Sequence, residues 1–278
     1  MIKQSPLIVV MERAARRAAR GLLRDFGEVE NLQVSRKGPA DFVSQADLKA
    51  EKVLREELER ARPEFGFLME ESGAAKAGDG RHRWIVDPLD GTSNFLHGVP
   101  HFAVSIAAER DGELIAGVVY EPLRDETYWA ERGIGAYLNQ RRLRVSARRQ
   151  LRDALIATGI PFLGHGDAAA HARYLVEFGV VMENVAGIRR WGTASLDLAF
   201  VAAGRFDGFW EHKLGPWDLA AGIVLVREAG GFVSEPDGGP NMLKSGGILA
   251  ANDQLHGPLL HLLKQAGAGI KTGLKTPS

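Results

Sequence analysis

The stretch WIVDPLDGTSNF, residues 84–95, is the most informative part of this sequence. Its apolar first three residues predict a short buried strand that ends at Asp87. Asp90 follows three residues later, before a glycine that permits a tight turn. Thr92 and Ser93 are residue types that favour the N-cap of a helix. The pattern therefore places two carboxylates near one point, beside a helix N-terminus that can receive a phosphate.

Other acidic residues stand in comparable positions. Hard divalent cations prefer oxygen ligands, and a pair of them about 4 Å apart can activate a water and stabilise a leaving oxygen. Such a site needs more than two acids. Glu70 follows the apolar run Phe67-Leu68-Met69, Asp218 precedes a predicted helix in GPWDLAAG, and Asp47 lies in KGPADFVSQAD. Taken singly, Glu70 is more typical of a solvated loop, and Asp218 is more typical of a helix N-cap.

The composition narrows the class of protein. The chain has 278 residues, with 35 Lys and Arg against 35 Asp and Glu, so its formal net charge is zero. This balance does not favour nucleic acid or an anionic membrane as a general partner. The absence of Cys excludes disulfides, thiolate nucleophiles and Cys-ligated zinc. No apolar run approaches the roughly 20 residues of a membrane span, and we expect a cytoplasmic protein.

The hydrophobic pattern changes along the chain. It predicts helices over residues 6–25 and 46–61, then an antiparallel meander over 101–138. Strands alternate with helices beyond about residue 150, and a last helix is predicted over 258–265. The expected organisation is one functional unit of two lobes, 1–145 and 146–266, that share one interior, followed by a flexible tail, 267–278.

Five segments in order resemble the inositol monophosphatase family: KGPADFVSQAD, MEES, WIVDPLDGTSNF, GTAS and WDLAAGIVLVREAGG. That family belongs with the fructose-1,6-bisphosphatases to a superfamily of lithium-sensitive, magnesium-dependent phosphatases. The resemblance runs from about residue 8 to 264. It implies a mixed α/β fold layered as an αβαβα sandwich, a homodimer, and hydrolysis of a small phosphate monoester that lithium inhibits.

The resemblance also implies ligands for two or three Mg²⁺ ions. Glu70, Asp87 and the backbone carbonyl of Leu89 would hold the first, and Asp87, Asp90 and Asp218 the second. The implied catalytic residues are Asp47, Thr92 and Glu70, with Thr92 and Asp47 orienting the attacking water. The implied substrate-binding residues are Asp90, Gly91, Thr92, Gly192, Thr193, Ala194 and Glu211.

Several alternatives stay open at this stage. A carboxylate at 211 suits a polyol because hydroxyl groups donate to it, yet it is also typical of an exposed strand end. Relatives with the same metal site act on histidinol phosphate, sugar bisphosphates or 3′-phosphonucleotides. A phosphoaspartate route from Asp87 is disfavoured, because phosphatases of that kind lack the Glu70 and Asp218 partners in this order.

An alternative of another class is an RNA- or transcription-associated regulatory protein with secondary catalysis. Some bacterial relatives of the family act in that way. The features that would support it are the basic face of the first helix and the pair Arg189-Arg190. The zero net charge and the complete set of acids weigh against it.

Overall fold

The computed structural model describes residues 3–26, 34–38, 41–75, 78–161 and 166–271. Within these ranges the chain forms eight α-helices and fifteen strands, arranged in sheets of two, eight and five strands. The prediction of a mixed α/β fold is confirmed. Among the described helices, none combines the length and the apolar character needed to cross a membrane.

Two helices form the first layer. α1 (Pro6–Phe26) and α2 (Gln45–Ala61) pack against each other and against one face of the large sheet. Between them the chain makes the antiparallel hairpin β1 (Val34–Gly38) and β2 (Asp41–Ser44). The periodicity predicts an apolar stripe of Val9, Ala14, Ala15, Ala18 and Leu22, and all of these are buried except Val9, which is 49% exposed. The arginines of α1 lie on its outer side.

The large sheet follows in the next layer, and its order is β10-β9-β8-β7-β6-β5-β3-β4. β3 and β5 are parallel, and the remaining neighbours are antiparallel. Its strands are β3 (Gly66–Met69), β4 (Gly73–Ala75), β5 (His82–Asp90), β6 (Ala103–Arg110), β7 (Glu113–Glu121), β8 (Glu126–Glu131), β9 (Gly135–Leu138) and β10 (Arg141–Arg142). The short helix α3 (Thr92–Leu96) comes after β5.

The smaller sheet has the order β12-β11-β13-β15-β14. β11 runs parallel to both of its neighbours, whereas β15 is antiparallel to β13 and β14. Its strands are β11 (Leu155–Thr158), β12 (Gly187–Arg189), β13 (Gly208–Glu211), β14 (Phe232–Ser234) and β15 (Ile248–Ala251).

The helices of the second half complete the layers. α5 (Ala194–Ala202) and α6 (Pro216–Glu228) lie between the two sheets, where every residue of α5 is buried. A helix that is apolar all round belongs in such a place. α4 (Ala168–Met182) and α8 (Asp253–Lys271) cover the outer face of the smaller sheet, and α7 (Met242–Ser245) is one turn long. The predicted αβαβα layering is confirmed.

The central helix α6 approaches the large sheet very closely. A β-carbon on Gly117 of β7 would lie 2.6 Å from the carbonyl oxygen of Ala221 in α6. Only a glycine leaves room for the helix backbone at that distance. Gly117 therefore sets how deeply α6 sits on the sheet.

The bounds predicted for the last helix are wrong. The predicted range is 258–265, but α8 begins at Asp253 and continues to Lys271, so it includes the first residues of the tail predicted from 267. Pro258 falls inside this helix rather than at its start. The rest of the predicted tail, 272–278, lies outside the described residues. The division into two lobes at about residue 145 stays a prediction.

Candidate active site

A β-bulge brings the first two carboxylates together. β5 does not end at Asp87 as predicted, but continues to Asp90 with a register shift between them. Asp87 pairs with Ser105 and Asp90 with Ala103, so three steps on β5 match two on β6. Residues three apart on a regular strand point to opposite faces, and the extra residue of a bulge reverses this. Asp87 and Asp90 consequently share one face, and both are buried.

The third carboxylate comes from α6. Asp218 lies in the first turn of that helix, not before it as predicted, and its Oδ2 accepts a hydrogen bond of 2.6 Å from the Gly215 N–H. One carboxylate oxygen each from Asp87, Asp90 and Asp218 lies within 4.8 Å of the others. The three acids are 131 positions apart at the extremes of the sequence, yet the layering makes them neighbours.

Glu70 approaches the same point from β3. Its N–H donates to the carbonyl of Val86 at 3.2 Å, which continues the parallel pairing of β3 with β5. A side-chain hydrogen bond and the charge of Glu70 both act on the Asp87 carboxyl. The structure thus gathers the four acids predicted as metal ligands.

Burial and mutual repulsion dominate the electrostatics of this cluster. Burial first, and then the negative charges of neighbouring acids, raise the pKa of Asp87 and of Asp218 well above the usual range. Burial also raises the pKa of Asp90 to about 6, although hydrogen bonds from residues 194 and 195 oppose the rise. Across the described parts of the chain, no salt bridge reaches Asp87, Asp90 or Asp218.

These residues fit a hard divalent cation. Several buried carboxylates without a basic partner are costly unless a positive charge joins them. All of their ligand atoms are oxygens. Leu89, whose carbonyl is a further predicted ligand, donates its N–H to Asp87 Oδ1 at 2.9 Å. Such a donor set suits Mg²⁺ or Ca²⁺ and not a thiophilic metal. The cluster is therefore a candidate metal site.

Thr92 and Asp47 form a hydrogen-bonded pair next to the acids. The Thr92 hydroxyl lies 3.0 Å from Asp47 Oδ1 and 3.0 Å from the Leu89 carbonyl oxygen, two acceptors for its one proton. Asp47, on α2, is fully buried. The prediction that Thr92 and Ser93 cap the helix is wrong. Gly91 occupies the N-cap with a φ of 94°, which only glycine adopts readily, and Thr92 is the first helical residue.

The loop of residues 192–194 closes the other side of the site. A β-carbon on Gly91 would lie 2.6 Å from Thr193 Oγ1, so the two segments touch. The Thr193 hydroxyl donates to the His101 carbonyl at 3.2 Å, and the Ser195 N–H donates to Asp90 Oδ2 at 2.7 Å. The predicted residues Gly192, Thr193 and Ala194 therefore sit beside Gly91 and Asp90.

Asn94 and Ser195 are residues that the sequence analysis missed. The Asn94 amide donates to the carbonyls of Trp191 at 2.8 Å and His101 at 2.9 Å, and so fastens the loop of 192–194 to α3. Ser195 acts through its backbone N–H, which carries no sequence signal. Asn94 lies inside the quoted TSNF, and its polar side chain at a buried position was the available signal.

Glu211 stands at the carboxyl end of β13. Burial first, and then the charge of Asp90, raise its pKa to about 8, while Arg190 opposes the rise. Arg190 also opposes the raised pKa of Asp197 on α5. Of the two arginines left open by the sequence, Arg190 is thus the one that acts on acids of the site.

Comparison with known proteins gives a consistent result. A model described as the inositol monophosphatase family matches residues 3–268. The "Inositol-1-monophosphatase" of Rhizobium meliloti (strain 1021) is 58% identical over 262 residues, covering 94% of this chain and 97% of that protein.

A solved structure and a differently named relative add to this. The crystal structure of extragenic suppressor protein suhB from Bartonella henselae has a TM-score of 0.90 at 58% identity, covering 94% of this chain and 99% of that one. The "Nus factor SuhB" of Pseudomonas aeruginosa (strain PAO1) is 45% identical over 257 residues, covering 92% of this chain and 94% of that protein.

Proposed function

Because the chain belongs to the inositol monophosphatase family, we propose that it hydrolyses myo-inositol monophosphate to inositol and phosphate in a Mg²⁺-dependent reaction. The observation that carries the proposal is the cluster of Asp87, Asp90 and Asp218, whose oxygens lie within 4.8 Å of one another. The relative named inositol-1-monophosphatase, at 58% identity, supports this choice of substrate.

We propose that the site binds two or three Mg²⁺ ions, and we assign ligands to two of them. Glu70, Asp87 and the Leu89 carbonyl would hold one ion, and Asp87, Asp90 and Asp218 the other. Bound Mg²⁺ would supply a water of lowered pKa and offset the charge that develops on the leaving ester oxygen. Asp87 would belong to both ligand sets, consistent with its place at the centre of the repulsions among the acids.

Thr92 and Asp47 would orient the attacking water. When the Thr92 hydroxyl donates its proton to Asp47, its oxygen lone pairs are free to accept a hydrogen bond from that water. Asp47 would then receive the proton that the attacking water passes through the Thr92 hydroxyl. Glu70, which hydrogen-bonds to Asp87, would hold the same side of the site.

The remaining residues would bind the substrate. The N–H groups of Gly91 and Thr92 would meet the phosphate together with Asp90 and its bound metal, and the residues of 192–194 would border the polyol. Glu211 would accept hydrogen bonds from the polyol hydroxyls, which a carboxylate suits better than any neutral acceptor.

We also propose a cytoplasmic homodimer. Leu175 and Met182 on α4 are 68% and 55% exposed, although both are large apolar side chains. They are seven residues apart and so lie on one face of the helix. A second copy of the chain that covers this face would account for their exposure.

A second candidate function is association with a transcription complex. The specific observation in its favour is the relative named Nus factor SuhB, at 45% identity. On α1, however, Arg13, Arg16 and Arg17 are engaged by acids of the same chain, which reduces the charge they offer to RNA. RNA binding whose salt dependence weakens when Arg20 is replaced would support this function, and no binding at low salt would exclude it.

The test of the main proposal is a phosphate-release assay. The panel is myo-inositol 1-phosphate, glycerol 2-phosphate, histidinol phosphate, fructose 1,6-bisphosphate and a 3′,5′-bisphosphonucleotide, each with Mg²⁺, with EDTA, and with Mg²⁺ plus millimolar Li⁺. We expect Mg²⁺-dependent, Li⁺-inhibited release that favours the inositol ester. Preference for another ester would correct the substrate. No release from folded protein that binds Mg²⁺ would favour the second candidate.

A further inference from the structure

Gly159, the residue directly after β11, has no room for a side chain because the Glu211 carboxylate occupies that space. A β-carbon on Gly159 would lie 1.7 Å from Glu211 Oε1, 1.9 Å from Cδ and 2.4 Å from Oε2. The φ of Gly159 is outside the left-handed region, so its backbone does not itself demand glycine. The three atoms that a methyl group there would meet first all belong to the Glu211 carboxyl group.

The sheet pairing explains this contact. β11 and β13 are parallel neighbours, and Thr158 pairs with Trp210 at their carboxyl ends. Residues 159 and 211 come next on the two strands and point to the same face. Without a β-carbon at 159, the Glu211 side chain lies back across the end of β11 instead of extending into the site.

Other buried polar groups surround the carboxylate in this position. Asp197 is 1% exposed and its Oδ1 makes no hydrogen bond within the described ranges, and Tyr174, 8% exposed, interacts through its hydroxyl with the Thr158 side chain. The charge of Glu211 acts on both groups, and Arg190 opposes it at each. Glu211 is therefore close enough to Asp197, Tyr174 and Arg190 for their charges and dipoles to act on one another at the edge of the site.

We propose that Gly159 is a specificity-determining residue, which keeps Glu211 withdrawn over β11 and so leaves room in front of its carboxylate for a ring polyol. This inference rests on the proposed function, in which Glu211 accepts hydrogen bonds from the polyol. A side chain at 159 would push the carboxylate forward into the space that the ring needs. Gly159 acts through Glu211 and touches neither the phosphate nor the predicted metal ligands.

The first measurement compares two substrates in Gly159→Ala. The readout is the ratio of kcat/KM for myo-inositol 1-phosphate to kcat/KM for phenyl phosphate, whose leaving group has no hydroxyl beyond the ester oxygen. Losing a hydrogen bond to the Glu211 carboxyl group should lower this ratio about tenfold or more. The fall should appear mainly in KM for the inositol ester. Gly179→Ala is the control, because a β-carbon there meets no atom within 4 Å.

The second measurement repeats Gly159→Ala in a Glu211→Ala background. The three atoms nearest to the added methyl all belong to the Glu211 carboxyl group, so we expect the substitution to leave the ratio unchanged once that group is gone. An equal fall of the ratio in both backgrounds would overturn the proposal. So would an unchanged ratio in the Gly159→Ala single variant.

Thermal melting separates misfolding from the proposed effect. A fall in the melting temperature that occurs in both backgrounds would report damage to β11, and the difference between the two backgrounds would still measure the part that depends on Glu211. If the wild-type protein prefers another ester in the panel above, the proposed substrate is wrong. The same pair of comparisons, made with that ester against phenyl phosphate, then tests the coupling of Gly159 to Glu211 independently.

Discussion

Two groups of buried acids in this protein have opposite surroundings. The Glu57 side chain on α2 is 6% exposed and faces three arginines, with Arg17 Nη1 2.7 Å from Oε1, Arg13 Nε 3.5 Å from Oε2, and Arg60 also in contact. Asp87 is 1% exposed and faces other acids, namely Glu70, Asp90 and Asp218. The same chemical group is thus compensated in one region and left uncompensated in the other.

The difference teaches how to distinguish a structural acid from a functional one. A buried carboxylate with its counter-ions supplied by the chain contributes to the fold and needs nothing further. Buried carboxylates that repel one another raise the free energy of the folded state, and a ligand that cancels their charge recovers it. The large sheet separates the two functions: Glu57 lies under α1, and the acid cluster lies where β5 meets α6.

The largest effect is expected when one acid in the cluster is neutralised. We expect Asp87→Asn to lower Mg²⁺-dependent activity at least about a thousandfold, because it removes the ligand shared by both proposed ions. The melting temperature in EDTA should rise, since a repelling charge is lost. Asp253→Asn, an exposed acid on α8, is the control. Activity within tenfold of the wild type would refute the assignment of Asp87.

The stabilisation of the acid cluster by Mg²⁺ should depend on pH. The pKa of Asp90 is raised from 3.8 to about 6, and this shift alone changes the free energy of unfolding by about 3 kcal/mol between low and high pH. Between these two pH values the metal-free folded protein holds a proton that the unfolded chain has released. The contribution of Asp90 to stability is therefore fully present below about pH 4 and is lost as the pH rises through 6. Added Mg²⁺ should therefore raise the melting temperature more at pH 8 than at pH 5. An equal or larger rise at pH 5 would contradict this account of the cluster.

Thr92 tests whether the neighbouring hydrogen-bonded pair serves the reaction or the fold. Thr92→Val keeps the shape of the side chain but removes the hydroxyl, and we expect kcat to fall about a hundredfold. Thr92→Ser retains the hydroxyl and should keep kcat within a few-fold of the wild type. The stabilisation by Mg²⁺, followed by melting, should survive in both variants. Equal kcat values for the Val and Ser variants would show that the hydroxyl plays no catalytic part.

The smallest effect is expected from the compensated acid. Glu57→Gln should lower the free energy of unfolding by about 1 kcal/mol, because three half-exposed arginines lose their partner. The activity and the Mg²⁺ response should stay as in the wild type. Glu56→Gln, an exposed neighbour on α2, provides the matched control in urea unfolding. A change in activity larger than that in the control would mean that the two regions are coupled.

The sequence was sufficient to predict the layered fold and most of its elements. Local periodicity predicted α1 and α2 to within one residue at each end, because each helix has one buried face. The order of the motifs, through the resemblance, predicted which acids would meet. The end of α8 was missed because Gly267 and Gly269 lower the helical propensity of that run.

The finer geometry of the site depends on contacts between distant segments. Nothing local in DPLD indicates that β5 bulges there, since the register belongs to its pairing with β6. The backbone N–H of Ser195 and the space beside Gly159 likewise have meaning only once α5 and β13 are in place. Such features arise from the tertiary arrangement, which residue type and spacing do not encode directly.

The glycine beneath α6 connects the position of that helix with the geometry of the acid cluster. Gly117 allows the backbone of α6 to rest on β7, and the same helix carries Asp218 in its first turn. A single methyl group at 117 would push the backbone of α6 away from β7. This displacement would move Asp218 away from Asp87 and Asp90. Natural variation that tunes metal affinity could thus arise in the middle of a buried strand, at a residue with no ligand atom.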